Sequence, residues 1–298
     1  MSDPGQPTLD QLRVFLTVVD TGSFAAAGRK LNRATSVISY AVANLEAQLG
    51  LTLFDRETTR KPQLTDAGKT VLGEARNVAS GIDGLRAKVK GLLSGLEAEV
   101  NLVVDVIFPP CRLVEALAAF QKEFPTVALR LHVEALGAVT QYVLDRRATI
   151  GLSGPLNTRA VGLERMAIGT VSLIPVAAPT HPLAKGRNKP GAGRDHIQLV
   201  LTDRSQLTAG QDFAVIANRT WRLADLGAKH ELLKAGLGWG SMPEPLVRAD
   251  IAAKRLVKLK LPDWVSETYP IDVIYPADTP PGPAGQWLIR MFAAQAGL

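Results

Sequence analysis

Thr35, Ser36, Ser39, Tyr40 and Asn44 crowd hydroxyl and amide groups onto one short stretch. None is a strong acid, base or metal ligand. Such groups donate and accept hydrogen bonds, which is how a protein reads base edges in a DNA major groove. In the same stretch Ile38, Val42, Leu45 and Leu49 recur 4, 3 and 4 residues apart, an apolar stripe of helical period. At about 100° per residue, Ser36, Tyr40, Ala43 and Asn44 turn away from that stripe, with Ser39 on its shoulder. The helix so defined, about Thr35 to Leu49, follows a shorter one, about Phe24 to Leu31. Its Ala25, Ala26, Ala27 and Gly28 allow a close neighbour, and Asn32, Arg33 and Ala34 form the turn. A helix with this outer face, held by a small-residue helix, suits a major groove. An ordinary helical hairpin would carry the same residues, so this stretch alone leaves both readings open.

The flanks supply the elements that would position it. Thr8-Leu9-Asp10-Gln11 has the form of a capping box, and Leu9, Leu12, Phe15, Leu16 and Val19 give the apolar face of a first helix. Gly22 stops that helix and Ser23 can cap the next. Behind the hairpin, two short extended segments, 51–54 and 63–65, flank a charged tip. Arg56, Arg60 and Lys61 near that tip are placed either to meet phosphates or to sit in a solvated loop. Thr65 then caps a long helix, about Asp66 to Gly95. Val71, Ala75, Val78, Ile82, Leu85, Val89, Leu92 and Leu96 alternate 4 and 3 apart along it. At ~1.5 Å per residue it spans roughly 45 Å. The seam fits a coiled-coil partner or a face packed on its own chain, and Gly81, Gly84, Gly91 and Gly95 weaken the helix in isolation.

From Glu99 the texture changes to alternating strands and helices. Strands are expected at about 100–107, 127–133, 149–153, 163–168, 171–178, 197–202, 213–217, 256–261 and 271–275. Trp239 to Pro243 is read as a strand-to-helix turn. Helices are expected at 113–124, 137–147, 223–235, 245–254 and 284–296. The opening βαβαβ rhythm implies a parallel sheet, in which ligands bind at the carboxyl ends of strands.

Residues 8 to 68 resemble the N-terminal winged helix-turn-helix of LysR-type transcriptional regulators. The shared features are Leu12, Arg13 and Phe15, Gly22-Ser23-Phe24, Leu45-Glu46, Leu49-Gly50, Leu53-Phe54, Arg56, Leu64-Thr65 and Ala67-Gly68. Residues 99–298 look like that family's two-lobed effector domain, similar in fold to periplasmic binding proteins. Val171–Ala184 and Ala235–Pro243 carry that match. The fold class implied is α/β, with a winged helix-turn-helix over 1–65, a linker and dimerisation helix over 66–96, and an effector domain over 97–298. Lobe one would be 99–168 plus 269–298, and lobe two 169–268.

The resemblance further implies a double-stranded DNA operator of dyad symmetry. It would be met by Ser23, Arg33, Thr35, Ser36, Ser39, Tyr40, Asn44, Arg56, Arg60 and Lys61. Self-association as a homodimer or homotetramer would run through Val71, Val78, Ile82, Leu85, Val89 and Leu92, with RNA polymerase a partner if the protein activates. Effector contacts map to Ile107 and Phe108, to Gly137 and Val139, to Thr202, Asp203 and Arg204, to Trp221 and Arg222, and to Trp239. Flat apolar walls from Phe108 and the two Trp point to a small, ring-bearing organic molecule with one polar or acidic group. The chain also departs from the family pattern. Ala34, Thr35 and Ser36 replace a common Ser-Gln followed by Pro or Ser, and Tyr40 replaces a basic residue. The operator therefore need not follow the usual base preferences. Ile107-Phe108-Pro109 stands where many members carry a small hydroxyl residue, which implies a drier pocket.

Length and composition agree with this outline. The 298 residues suffice for two or three domains, and 46% hydrophobic with 21% charged residues is ordinary for a globular protein. The net charge of +6 permits a polyanion partner, although residues 1–98 hold 12 Lys and Arg against 10 Asp and Glu. The DNA-reading part is thus not strongly basic, and affinity is expected to need several modules together. No apolar run nears a membrane span and the start is no signal peptide, so a cytoplasmic protein is expected. One cysteine, Cys111, excludes an internal disulfide, and His132, His181, His196 and His230 lack ligand spacing. No metal and no cofactor are expected. Cys111 reads as a small buried residue more readily than as a redox sensor. No nucleophile-base set is legible, which argues against an enzyme with a DNA-binding appendage. An effector-independent regulator, its cleft filled by its own aromatics, is the other alternative.

Overall fold

The structure is a computed structural model and describes residues 6–55, 62–93, 95–155, 161–186, 188–211, 213–265 and 267–295. Its contacts divide the chain into two units, Met1–Lys90 and Gly91–Leu298.

The first unit is helical. It comprises α1 (Leu9–Thr21), α2 (Phe24–Leu31), α3 (Thr35–Leu49), the short strands β1 (Phe54–Asp55) and β2 (Gln63–Leu64), and α4 (Asp66–Leu93), whose last turn passes into the second unit. The capping box forms as read: Thr8 Oγ1 accepts from Gln11 N, and Thr8 N donates to Gln11 Oε1 at 2.7 Å. Gly22, at φ 69°, ends α1 in the left-handed region that glycine adopts freely. One core joins Val14, Phe15 and Val18 of α1 to Ile38, Val42 and Leu45 of α3, with Leu53 and Phe54 beneath. Phe15 and Phe24 both meet the Phe54 ring edge-on, at 5.6 and 5.5 Å, a favoured aromatic geometry.

The second unit is one mixed sheet flanked by helices. In chain order its elements are β3 (Glu99–Asp105), α5 (Pro110–Glu123), β4 (Ala128–Glu134), α6 (Gly137–Leu144), β5 (Ile150–Ser153), β6 (Leu163–Ala177), β7 (Gln198–Leu201) and β8 (Thr220–Leu223). Then follow α7 (Leu226–Lys234), β9 (Trp239–Pro243), α8 (Glu244–Ala252), β10 (Val257–Lys258), β11 (Glu267–Pro276) and α9 (Pro283–Ala294). The strand order is β4-β3-β5-β11-β6-β9-β7-β8, with β10 on β6. Pairing is parallel in β3–β4, β3–β5, β7–β8 and β7–β9. β6 and β11 run antiparallel through both halves, from Glu267↔Leu173 to Pro276↔Leu163.

Several expectations are corrected here. The strands read at 163–168 and 171–178 are one strand, carried through by Gly169 at φ 129° beside a register shift at Ile271/Asp272. Trp239 to Pro243 is a full strand rather than a turn. The helix read from 223 begins at Leu226, because Asp225 caps it through Ala228 N, and Thr220–Leu223 is a strand. No strand forms over 213–217. Gln198 takes up its backbone instead: Nε2 donates to Ala214 O at 2.6 Å, and Oε1 accepts from Ile216 N and Ala217 N at 3.0 and 3.1 Å. Cys111 is exposed on the first turn of α5, not buried.

Candidate nucleic-acid interface and ligand cavity

α2 and α3 are held in register by close packing. A Cβ on Gly28 would lie 2.7 Å from Arg33 O and 3.7 Å from Ile38 Cγ1, so only glycine admits the turn at this distance. Buried Glu46 accepts from Leu53 N at 2.7 Å and Phe54 N at 3.3 Å, tying the end of α3 to β1. What α3 leaves outside is Thr35, Ser36, Val37, Ser39 and Tyr40, all exposed, with Asn44 half-buried. Tyr40 is 69% exposed, and Ala34 gives no side-chain cap: Val37 N turns back to Ala34 O at 3.0 Å, and among the described residues the N–H groups of Thr35 and Ser36 stay open. Open amides at a helix start attract phosphate oxygens.

The remaining predicted interface residues are placed less simply. Ser23 caps α2, accepting from Ala26 N at 3.0 Å. Arg33 forms a two-pronged pair with Asp10, at 2.6 and 2.9 Å, which holds the Asp10 carboxyl below its ordinary value. β1 and β2 pair as Phe54↔Leu64 and Asp55↔Gln63, the base of a wing. Arg56, Arg60 and Lys61 lie outside the described residues. Thr65 Oγ1 accepts from Gly68 N and so starts α4. Along α4, Val71 packs on the unit's own core, Ile82 is half-buried, and Val78, Leu85, Val89 and Leu92 are exposed. A groove between α1 and α4 is floored by Leu9, Leu12, Val78 and Ile82 and rimmed by Asp10, Arg13, Asp83 and Arg86.

In the second unit a cavity of ≈ 350 Å³ opens at the ends of β3 and β7. Ile107, Leu136, Leu199, Leu201, Phe213 and Tyr269 form its apolar wall, and Lys229, Ser241 and Thr268 add polar groups. Beside it, a shallower recess of ≈ 330 Å³ is lined by Thr202, Asp203, Ser205, Thr208 and Arg222. Of the ten residues expected to contact an effector, Ile107 lines the cavity, and Thr202, Asp203 and Arg222 line the recess. Gly137 touches the same cluster, where an added Cβ would meet Ser205 Oγ at 2.6 Å.

The other five line neither space, and packing accounts for three of them. Phe108 is buried edge-on against Phe292 at 5.7 Å with the Arg112 guanidinium over its ring. Val139 is enclosed by Val103, Val143 and Ile274. Trp239, expected as a cleft wall, is fully buried beside Leu183 and Trp264, and its indole N–H donates to Gly193 O. Trp221 and Arg204 are exposed and line neither space. The flat aromatic walls are therefore Phe213 and Tyr269 instead of Phe108 and the two Trp.

Two carboxylates organise the cleft from behind. Asp105, buried at the end of β3, accepts from Ile107 N at 2.9 Å, Leu136 N at 3.2 Å and Tyr269 Oη at 2.9 Å. Burial pushes its carboxyl up to about 6 against those hydrogen bonds, and burial together with Asp105 raises Tyr269 well above its usual value. Asp203 accepts from Ala138 N at 2.8 Å and from the Ser205 and Thr208 hydroxyls. It thus caps α6, which has no side-chain cap of its own, and it does so from the opposite half of the sheet. The anion place at that helix start is filled by the protein itself.

Lys229 went unread in the sequence although its signal is there. Leu226, Lys229 and Leu233 are spaced 3 and 4 apart, the inward stripe of α7, and a lysine in such a stripe is rare. It is 2% exposed, and burial alone pulls its amine down to about 7.

Residues 9–69 match the family described as bacterial regulatory helix-turn-helix protein, lysR family, and residues 94–297 match the LysR substrate binding domain. The transcriptional activator AllS of Klebsiella pneumoniae is 30% identical over 256 residues, covering 83% of this chain and 93% of that protein. A mutant of OxyR from Corynebacterium glutamicum superposes with a TM-score of 0.53 at 21% identity, over 98% of this chain and 92% of the other. Full-length LysG of the same organism, with bound effector Arg, gives 0.50 at 20% identity over 97% and 98%. At these identities the two structures speak for the fold alone.

Proposed function

The chain belongs to the LysR family of bacterial DNA-binding regulators, and from that premise we propose which surfaces read DNA, sense and self-associate. The exposed face of α3, Thr35, Ser36, Ser39 and Tyr40, enters the major groove, and the open amides at its start seat on a phosphate. Base reading rests on short hydroxyl contacts, with Tyr40 packing on a sugar or a thymine methyl. The wing residues Arg56, Arg60 and Lys61 add phosphate contacts, which give affinity without sequence reading.

Two copies associate through α4, where Val78, Leu85, Val89 and Leu92 form an exposed apolar seam beside the α1–α4 groove. Dimerisation sets two α3 helices against two half-sites and makes the operator dyad-symmetric. The single observation that carries the reading is an α3 whose inner face is fully used in the core while its outer face is polar, exposed and uncapped. The role is regulation of transcription rather than catalysis, in the cytoplasm where the operator lies, in keeping with relatives named as transcriptional regulators.

The effector domain responds to a small molecule in the 350 Å³ cavity. No helix among the described residues is long and apolar enough to cross a membrane. Footprinting the purified protein on the DNA beside its own gene, at two salt concentrations, tests the DNA reading. A protected dyad-symmetric site over several helical turns is the expected result. Weak, unpositioned protection that salt abolishes at every tested promoter contradicts it.

A further inference from the structure

Among the described residues the cavity wall carries one buried cation, and its identity constrains the ligand. Lys229 reaches the cavity wall from α7, behind the sheet, past Gly240, whose missing side chain leaves room: a Cβ there would lie 3.2 Å from Lys229 Cε. Among the described residues no hydrogen bond or ion pair reaches its amine, and no charged group on β6, β7, β8 or β9 contributes to its environment. Among the described residues the other titratable group on the wall is Tyr269, already donating to Asp105, and Asp105 already accepts from three donors. Gln198, also on the wall, is spent holding residues 214–217.

The helix start at α6 is closed as well, because Asp203 occupies it. A buried ammonium without a counter-charge is costly, and a ligand that supplies one recovers that cost. We propose that Lys229 anchors the carboxylate of a small monocarboxylic acid whose apolar body lies against Ile107, Leu136, Phe213 and Tyr269. This inference rests on the effector reading above and names the effector's class. A cationic ligand would face Lys229 directly. A neutral one leaves the amine unpaired. A phosphate dianion brings two charges to one cation and few hydroxyls. The Ser241 and Thr268 hydroxyls on the same wall suit the second carboxylate oxygen.

The test uses the full chain and defined probes: benzoate, phenylacetate and hexanoate, each with its primary amide, plus benzylamine and glucose. Calorimetry at pH 6.5 and 8.5, in buffers of different ionisation enthalpy, reads affinity and proton uptake. At least one acid is expected to bind ten-fold or more tightly than its amide, taking up close to one proton at pH 8.5. Lys229→Met is expected to abolish both the preference and the uptake. Melting curves establish that the variant is folded. Acids that bind the variant as well as the parent overturn the assignment. Amides, benzylamine or glucose bound as well as the acids, and undiminished in the variant, also overturn it but leave the effector reading intact. No binding by any probe overturns both, and the footprint independently decides the DNA-binding reading.

Discussion

Arg33 and Lys229 are both basic, yet the fold treats them in opposite ways. Arg33, read from the sequence as a DNA contact, is held by Asp10 in a two-pronged pair at the protein surface. An exposed pair of this kind contributes little stability, so its effect is on availability: the guanidinium is engaged within the unit. Asp10→Asn should release it to a phosphate. The expected outcome is a steeper salt dependence of DNA affinity, by about one unit in log K against log salt, read by titration at four salt concentrations. Lys229 has no such partner among the described residues. Its amine falls from 10.5 to about 7, so between those values the unfolded chain keeps a proton that the folded chain has released. Stability rises with pH across that window and is lowest beneath it. Lys229→Met should therefore raise the Tm, with a gain of a few kcal/mol at pH 6 and a smaller one at pH 9. Equal gains at both pH values would show that the amine keeps its proton in the fold across that range, as it does in the unfolded chain, and would contradict the lowered value.

Among the elements, α3 depends on a clearance of one methyl group. Gly28→Ala would drive a Cβ into the backbone at Arg33. The expected cost is about 1–3 kcal/mol, seen as a lower first-unit melting transition and weaker DNA binding. Ser39→Ala should leave that transition in place and weaken specific binding more than non-specific binding. Competition with unrelated DNA measures the difference. The helices of this unit were legible because their signals are local: the capping box at Thr8, Gly22 at φ 69°, and a stripe repeated every 3 or 4 residues. The second unit was less legible where long-range partners decide. Nothing near residue 213 announces that Gln198 will take up its backbone, and nothing near Trp239 announces the pocket made by Leu183 and Trp264. Aromatic side chains were assigned to the cleft because a ring fits a ligand wall, yet the same surface drives burial. The inward Lys229, by contrast, is legible in the period of α7, between Leu226 and Leu233.

At the scale of the molecule, the proposed assembly through the α4 seam is open to a direct test. Leu85→Lys with Val89→Lys places charges on an exposed apolar stripe. Sedimentation should show the oligomer falling to monomer, and the dyad-symmetric footprint should vanish, while ligand binding in the cavity persists. The second unit carries a different kind of dependence, because its larger core is discontinuous in sequence. Val100 and Leu102 of β3 and Phe120 of α5 pack against Val273 of β11 and Leu288 and Phe292 of α9. Glu97, just ahead of β3, accepts from Ala284 N and Gly285 N and so caps that last helix. On a ribosome adding ~5–20 residues per second, the apolar faces of β3 and α5 emerge roughly 10–40 s before the strand and helix that cover them. Through that interval they are exposed to other nascent chains. Sheltering those faces until release is therefore expected to raise the yield of folded protein, read as the soluble fraction with and without added chaperone.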